Sequence, residues 1–310
     1  MTAGDGVRPL SKVLEKKAAK ELNEDPKRVE ADLQALREWL AKQPHLKSVK
    51  PSDQWLIAFL RGCKFSLERS KEKIDMYYTL KSVVPEFFSN RDPLDKTQNL
   101  NKTVLFLPVR KVKNEDSPRV NIVRVGVFDP SVYNLTDMMK VAFMLTEIQM
   151  LEDDNFIVEV VVDMKDVGIS VLSQWTPALA KKVITCFEKA LPIRLKGNHI
   201  MNTPTGFEAA YTILKRFIGE KLRKRFQVHN QKFKNLHKYV PRSVLPREYE
   251  GEDGDVQELI DYWKEKVESY RDWFVKEESA RSDESQRPDL PKTSSLLFGV
   301  EGSFRKLDVD

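Results

Sequence analysis

Apolar and polar positions change period several times along the chain, and each change marks an element. The clearest stretch runs from Phe156 to Gly219. A β-branched run from Ile157 to Val162, broken only by Glu159 and stopped by Asp163, reads as a short buried strand of the parallel type. A helical period then takes over. Leu179, Val183, Cys186, Phe187 and Ala190 form one stripe, with Thr176 as N-cap, Pro177 at the first helical position and Pro192 as the stop. A second strand over 197–202 leads through Thr203-Pro204 into another amphipathic helix bearing Phe207, Ala210, Tyr211, Leu214 and Phe217. Strand, helix, strand, helix predicts a parallel βαβα unit and an α/β class.

Upstream, Val29, Leu33, Leu36 and Leu40 repeat at helical spacing after Asp25-Pro26. Ser52 opens a second helix carrying Trp55, Leu56, Phe59 and Leu60. Ser66 opens a third with Leu67, Ile74, Tyr77 and Tyr78. These three predict a small bundle over 25–90, and the Lys- and Glu-rich pattern of 1–24 predicts a frayed extension. Strands are expected at 103–110 and 119–128, separated by a polar turn and ended by Asp129-Pro130. A helix follows at about 136–152 with a methionine-rich stripe, which alone reads as core packing.

Downstream of the central unit come a short basic helix at 220–225, a strand at 226–229 and a Gly/Asp/Glu loop that closes the main domain near Gly251. One long amphipathic helix is expected from Val256 to Phe274. The Ser-, Pro- and charge-rich stretch 277–292 predicts disorder, with Leu296, Leu297, Phe298 and Phe304 available to dock back. The expected divisions are 1–24, 25–90, 91–251 and 252–310.

The hydrophobic content of 41% is enough for a core, and Cys63 and Cys186 provide no disulfide framework. The N-terminal stretch is polar and no apolar run approaches about 18 residues, so a cytoplasmic protein is expected, and the sequons at Asn101 and Asn134 read as chance matches. The net charge of +5 conceals a division: residues 181–225 hold eleven Lys and Arg against three Asp and Glu, and residues 247–310 hold ten against eighteen. The basic stretch suits an anionic partner or a solvated helix face.

Phosphate-cradling glycine loops, zinc-protease and nucleophile-elbow motifs are absent from the sequence. None of the four histidines has ligand spacing to another or to a cysteine, so no metal, cofactor or enzyme is expected. His199 reads as a hydrogen-bonded histidine inside a strand. Glu159 and Asp163 share a strand face, with Asp163 better explained as a turn residue. The basic stretch lacks the interleaved aromatics that stack bases, which argues against nucleic acid.

The segments D-M-K-D-V-G (163–168), T-P-A-L-A-K-K (176–182), L-P-I-R-L-K-G-N-H-I-M-N-T-P (191–204) and E-K-L-R-K-R-F (220–226) resemble the CRAL-TRIO family of intracellular lipid-transfer proteins, which includes the tocopherol and retinaldehyde carriers. The likeness spans about Asp25 to Gly251. It implies a short, mostly parallel sheet flooring an apolar cavity covered by helices, with an N-terminal three-helix annex. Matched position by position, the cavity would be lined from the methionine-rich helix by Met139, Ala142 and Thr146, the last a polar contact for a ligand hydroxyl. The strand would add Val158, Val160 and Val162, and the next helix Val183, Cys186, Phe187, Leu191 and Ile193. Phe207, Tyr211 and Leu214 would line it from a helix that acts as a gate between Gly206 and Gly219. Periodicity by itself leaves a filled core and a lined cavity equally open.

The resemblance also implies a phosphoinositide site at Arg194, Lys196, Lys221 and Arg225. Two-residue spacing on an extended segment would put the first pair on one side, and four-residue spacing on a helix the second. F-L-R-G-C-K-F resembles the family's F-L-R-A-R-x-F, but Cys63 replaces the second basic residue and Lys64 follows it as a substitute. The expected function is a carrier that binds one tocopherol-, retinoid- or carotenoid-like molecule, or a phospholipid, and delivers it to phosphoinositide-containing membranes by transient peripheral association. The alternative is a lipid-sensing regulatory or scaffold module that recruits a protein partner through its acidic C-terminal region.

Overall fold

The computed structural model describes residues 6–95, 106–124, 134–154, 157–229 and 233–299. The expected strand portions 103–105 and 125–128, Asp129-Pro130, Asn101 and Phe304 lie outside them. The first helices are α1 (Lys12–Leu22), α2 (Val29–Ala41), α3 (Asp53–Gly62), α4 (Leu67–Val83) and the single turn α5 (Pro85–Phe88). Ser52 caps α3 by accepting from Trp55 N, as its position predicts, whereas Ser66 makes no side-chain cap at α4.

The extension expected to be frayed over 1–24 carries, among its described residues, a docked helix, α1. Ser11 caps α1, and Leu14, Ala18 and Leu22 are buried against Phe65 and Ile157. Ahead of it, the Arg8 guanidinium is bidentate to Asp154, and behind it Glu24 accepts twice from Arg61. Composition signals charge in this segment without revealing the partners that neutralise it.

Five strands form one sheet in sequence order: β1 (Phe106–Pro108), β2 (Arg119–Arg124), β3 (Val158–Asp163), β4 (Leu195–Met201) and β5 (Phe226–Val228). Only β1–β2 is antiparallel; the other three pairings are parallel. This is the short, mostly parallel sheet that the family resemblance implies, and it contains the parallel unit that the pattern predicts. One face, with Ile122, Val161 and Met201, packs on Leu145, Ile148, Tyr249, Leu259 and Trp263. The other, with Val162, Ile200 and Phe226, meets a second apolar cluster built from the annex and the central helices.

Helix α6 (Leu135–Glu152) wedges between these clusters. It gives Met138, Met139 and Phe143 to one, and Val141, Leu145 and Ile148 to the other. A helix apolar on so many sides must be buried. Asn134 starts it with a reciprocal capping box to Asp137, so the side chain of that sequon is engaged in the cap.

The central segment continues through α7 (Ile169–Leu172), α8 (Pro177–Thr185), α9 (Phe207–Lys215) and α10 (Glu220–Arg223) to α11 (Phe233–Leu236). The stripe read as one helix to Ala190 changes to a π turn over Cys186–Ala190. There Lys73 of α4 donates to the carbonyls of Glu188 and Leu191. The expected long C-terminal helix is two, α12 (Val256–Ser269) and α13 (Arg271–Glu277), broken at Tyr270. α12 shares the sheet's apolar cluster through Val256, Leu259, Trp263 and Val267.

The tail expected to be disordered is an ordered strap over the annex. Ser282 N donates to Tyr78 O and Asp283 N to His45 O. Arg287 and Lys292 both reach Asp75, whose other oxygen bonds His45. α14 (Ser294–Phe298) then seats Phe298 in the second apolar cluster, under the Lys182 ammonium. Polar and charged composition predicts disorder only where nothing complementary waits, and α4 supplies the complement.

Candidate functional site

The central strand β3 alternates in burial. Glu159, Val161 and Asp163 are buried, while Val158, Val160 and Val162 are only half-buried. A strand paired on both edges and covered on both faces should bury both sets. The covering helices therefore leave these valines incompletely shielded.

The candidate lining residues fall around these valines unevenly. Met139, Val183, Cys186, Leu191, Phe207 and Tyr211 are buried in the second apolar cluster, that of the annex and the central helices, with Val162, Phe187 and Ile193 packed at its margin. Val158, Val160 and Leu214 are half-buried, and among the described residues they join neither cluster. Ala142 belongs to the opposite cluster, with Val141 and Leu145. Thr146 is buried and its hydroxyl donates to Ala142 O at 2.8 Å, so only its lone pairs are left for another group. Burial raises the Cys186 thiol far above its ordinary range, leaving it an inert apolar group.

Helix α9 stacks Phe207 on Tyr211, and Lys215 lies 4.1 Å from the Tyr211 ring centroid. Gly206 at its start has φ +88°, a conformation that favours glycine. Gly219 has φ −59° and precedes α10, so it is not a left-handed helix end; its N–H donates to Glu188.

Basic residues gather where β4 and β5 begin. Arg194 leads into β4, its side chain 19% exposed, with Glu21 of α1 at 3.7 Å. Burial lowers its pKa; Glu21 opposes that and Arg225 reinforces it. Arg225, just before β5, donates to Leu195 O. One nitrogen of Arg194, Nη1, is buried without a partner among the described residues. Lys221 stands exposed on α10.

Both spacing arguments need correction. Along β4 the register advances from Leu195 to Gly197 while β3 advances from Val158 to Glu159, so Lys196 is the extra residue of a bulge. A bulge re-aims its side chain, and Lys196 reaches Glu159 at 3.2 Å while Arg194 turns to Glu21. α10 ends at Arg223, so Arg225 sits on the turn into β5 instead of sharing a helix face with Lys221. Lys64 is exposed with φ 56°, and α3 is seated beside the segment leading to Arg194: a Cβ on Gly62 would lie 2.1 Å from Pro192 O.

Beneath Lys196, sequence reasoning missed a buried chain. Glu159 pairs with the Lys196 ammonium on one oxygen and meets His199 Nε2 at 3.1 Å on the other, and His199 Nδ1 meets His229 Nε2 at 2.9 Å. His199 is thus the hydrogen-bonded strand histidine that its position predicts, and no group of three metal-ligating side chains occurs among the described residues. Asp163 accepts from Lys165 N as the expected turn residue, and also from Asn202 and the Tyr249 hydroxyl.

A short, mostly parallel sheet packed between apolar clusters on both faces defines the class, and the chain belongs to the CRAL-TRIO family. Residues 105–251 match the CRAL/TRIO domain model and residues 25–98 the Pinta-like, UBA domain model. The chain is similar to the alpha-tocopherol transfer protein-like proteins of Mus musculus and Homo sapiens, each 33% identical over 86% of this chain and 78% of the relative. Clavesin-1 of Rattus norvegicus is 25% identical over 76% of this chain and 67% of its own length. Among solved structures, that of Sfh5 matches with a TM-score of 0.49 at 16% identity, covering 81% of this chain and 92% of that one. No helix among the described residues is long and apolar enough to cross a membrane.

Proposed function

We propose that the protein carries one hydrophobic molecule between the half-buried face of β3 and the layer formed by α8, the π turn and α9. The ligand is a tocopherol-, retinoid- or carotenoid-like molecule or a phospholipid, and it is delivered to membranes that contain phosphoinositides. The observation that supports this most is the incomplete burial of Val158, Val160 and Val162 in a strand paired on both sides. An apolar surface of that kind gains from a ligand: burying on the order of 500 Å² contributes roughly 12 kcal/mol before association costs of ~4–15 kcal/mol. The relatives named as transfer proteins support the same reading.

Helix α9 is the gate in this reading, hinged at the left-handed Gly206. Arg194, Lys196, Lys221 and Arg225, with Lys64 nearby, take the headgroup phosphates. Four basic residues near an anionic surface contribute about 4 kcal/mol, steeply dependent on salt. The test has two arms. Organic extraction and mass spectrometry of purified protein, or uptake of labelled tocopherol, retinoid or phospholipid, should find a ligand; no retention or uptake of any would remove the carrier reading. Replacing the four basic residues by Ala should leave loading intact and abolish capture by phosphoinositide vesicles; capture that persists at low salt would remove the headgroup site.

A further inference from the structure

Lys196 is re-aimed by a bulge onto a carboxylate that is itself one end of a buried chain. Glu159 is 4% exposed, His199 0% and His229 7%. The approach is tight by construction, since a Cβ at Gly197 would lie 2.3 Å from Glu159 Oε2 and 2.9 Å from His199 Nε2. Only glycine there lets the carboxylate sit between the ammonium and the imidazole. From the segment after α11, Tyr239 lies with its ring centroid 4.9 Å from that of His199 and 5.7 Å from that of His229. The ionisable groups of the relay and its surroundings are thus Glu159 from β3, Lys196 and His199 from β4, His229 after β5, and Tyr239. His237 is turned elsewhere, onto Tyr249 O.

We propose that His199 and His229 form a proton-operated relay that sets, through Glu159, how much positive charge Lys196 offers to a phosphate. The inference rests on the reading of the basic cluster as a phosphate site. With both imidazoles neutral, His229 Nε2–H donates to His199 Nδ1, and His199 Nε2–H donates to Glu159. The carboxylate then balances Lys196, and the four side chains sum to zero. Uptake of one proton makes His199 an imidazolium that donates at both nitrogens, with His229 Nε2 as acceptor. Glu159 is now balanced from below, and the group carries one net positive charge at the surface where Lys196 is exposed. A second proton is opposed: burial, and then the neighbouring His199, hold His229 below its ordinary value. The relay therefore holds one added proton between two rings that face each other at 2.9 Å.

The experiment measures capture by vesicles of phosphatidylcholine with and without phosphatidylinositol bisphosphate, from pH 7.5 to 5.5. Free inositol trisphosphate serves as a separate arm that distinguishes headgroup phosphate from a membrane surface. Capture by the bisphosphate vesicles should rise about fivefold on acidification, the factor of one added charge. Glu159→Gln should already be high at pH 7.5, and His199→Gln should lose the rise. By linkage, inositol trisphosphate should raise the histidine titration, followed by imidazole NMR on the unmodified protein, by about 0.7 pH unit. This last measurement decides the matter if His199→Gln does not fold. No capture by the unmodified protein at any pH would overturn the phosphate site itself. Capture with the same acid response in His199→Gln, or a histidine titration unmoved by inositol trisphosphate, would overturn the relay alone.

Discussion

Replacing Arg91 by Ala should be among the most destabilising single changes in the protein. Arg91 and Glu147 are both 0% exposed and bond at 2.6 Å, Nη1 to Oε2. Tyr77 donates to the other carboxylate oxygen at 2.7 Å, and the guanidinium lies against the rings of Phe88 and Phe274. The pair joins the segment after α5 to the middle of α6, so it ties the annex to the sheet layer. Arg91→Ala leaves Glu147 as a buried charge with a single hydroxyl donor, a change that costs about 3–5 kcal/mol. At about 2.1 cal/mol/K per residue, 310 residues give an unfolding entropy near 0.65 kcal/mol/K. A loss of about 4 kcal/mol then lowers Tm by about 6 °C. Calorimetry and urea unfolding followed by tryptophan fluorescence would measure it. Arg91→Met combined with Glu147→Gln removes both charges, keeps an acceptor for Tyr77, and should recover at least half of the loss. A single variant within about 1 kcal/mol of the parent, or a double variant weaker than the single, would refute the uncompensated charge as the cause.

Three further outcomes are expected. Burial holds the Lys73 and Lys81 ammonium groups down to about 8 from the ordinary 10.5, so between those values the unfolded chain binds protons that the folded one has released. Tm should therefore rise from pH 8 to about 10, and Lys73→Met should flatten the slope. Burial pushes the Glu284 carboxyl up, but hydrogen bonds from Arg287, Ser282 and Lys292 N outweigh it and bring the group down to about 2. Its contribution is complete above the ordinary 4.5 and lost as pH falls toward 2. Hydrogen exchange over 280–299 should accelerate in that window, and at neutral pH in Glu284→Gln. Gly62→Ala drives a Cβ into Pro192 and should cost about 1–3 kcal/mol by urea unfolding; an unchanged midpoint would mean that α3 can move off Pro192 without loss.

The parallel strand–helix unit and the central helices were legible because each rests on local pattern: β-branched runs, caps at Ser52 and Thr176, and the stop at Pro192, whereas the Asn134 cap was read only as a chance sequon. What periodicity missed lies in pairings across the chain. Glu21 with Arg194 and Arg8 with Asp154 join segments that no local window spans. The strap over 277–299 shares a composition with disordered tails, and its order resides in Asp75 and Tyr78, more than 200 positions earlier. At the candidate site, spacing identified the basic residues but not their directions, because the bulge at Lys196 resets the alternation and α10 stops short of Arg225. The histidine relay had one signal in the sequence, an acidic residue within a β-branched run, which is costly to bury without a partner.

The strap also fixes when the annex can be completed. Asp75 is held by His45 at once, but its other partners, Arg287 and Lys292, lie 212 and 217 positions further along the chain. At a synthesis rate of about 5–20 residues per second, roughly 10–45 s separate that carboxylate from its ammonium partner. During that interval the surface of α4 that later receives the strap stays open, and the bundle waits on residues made more than 200 positions later to close it.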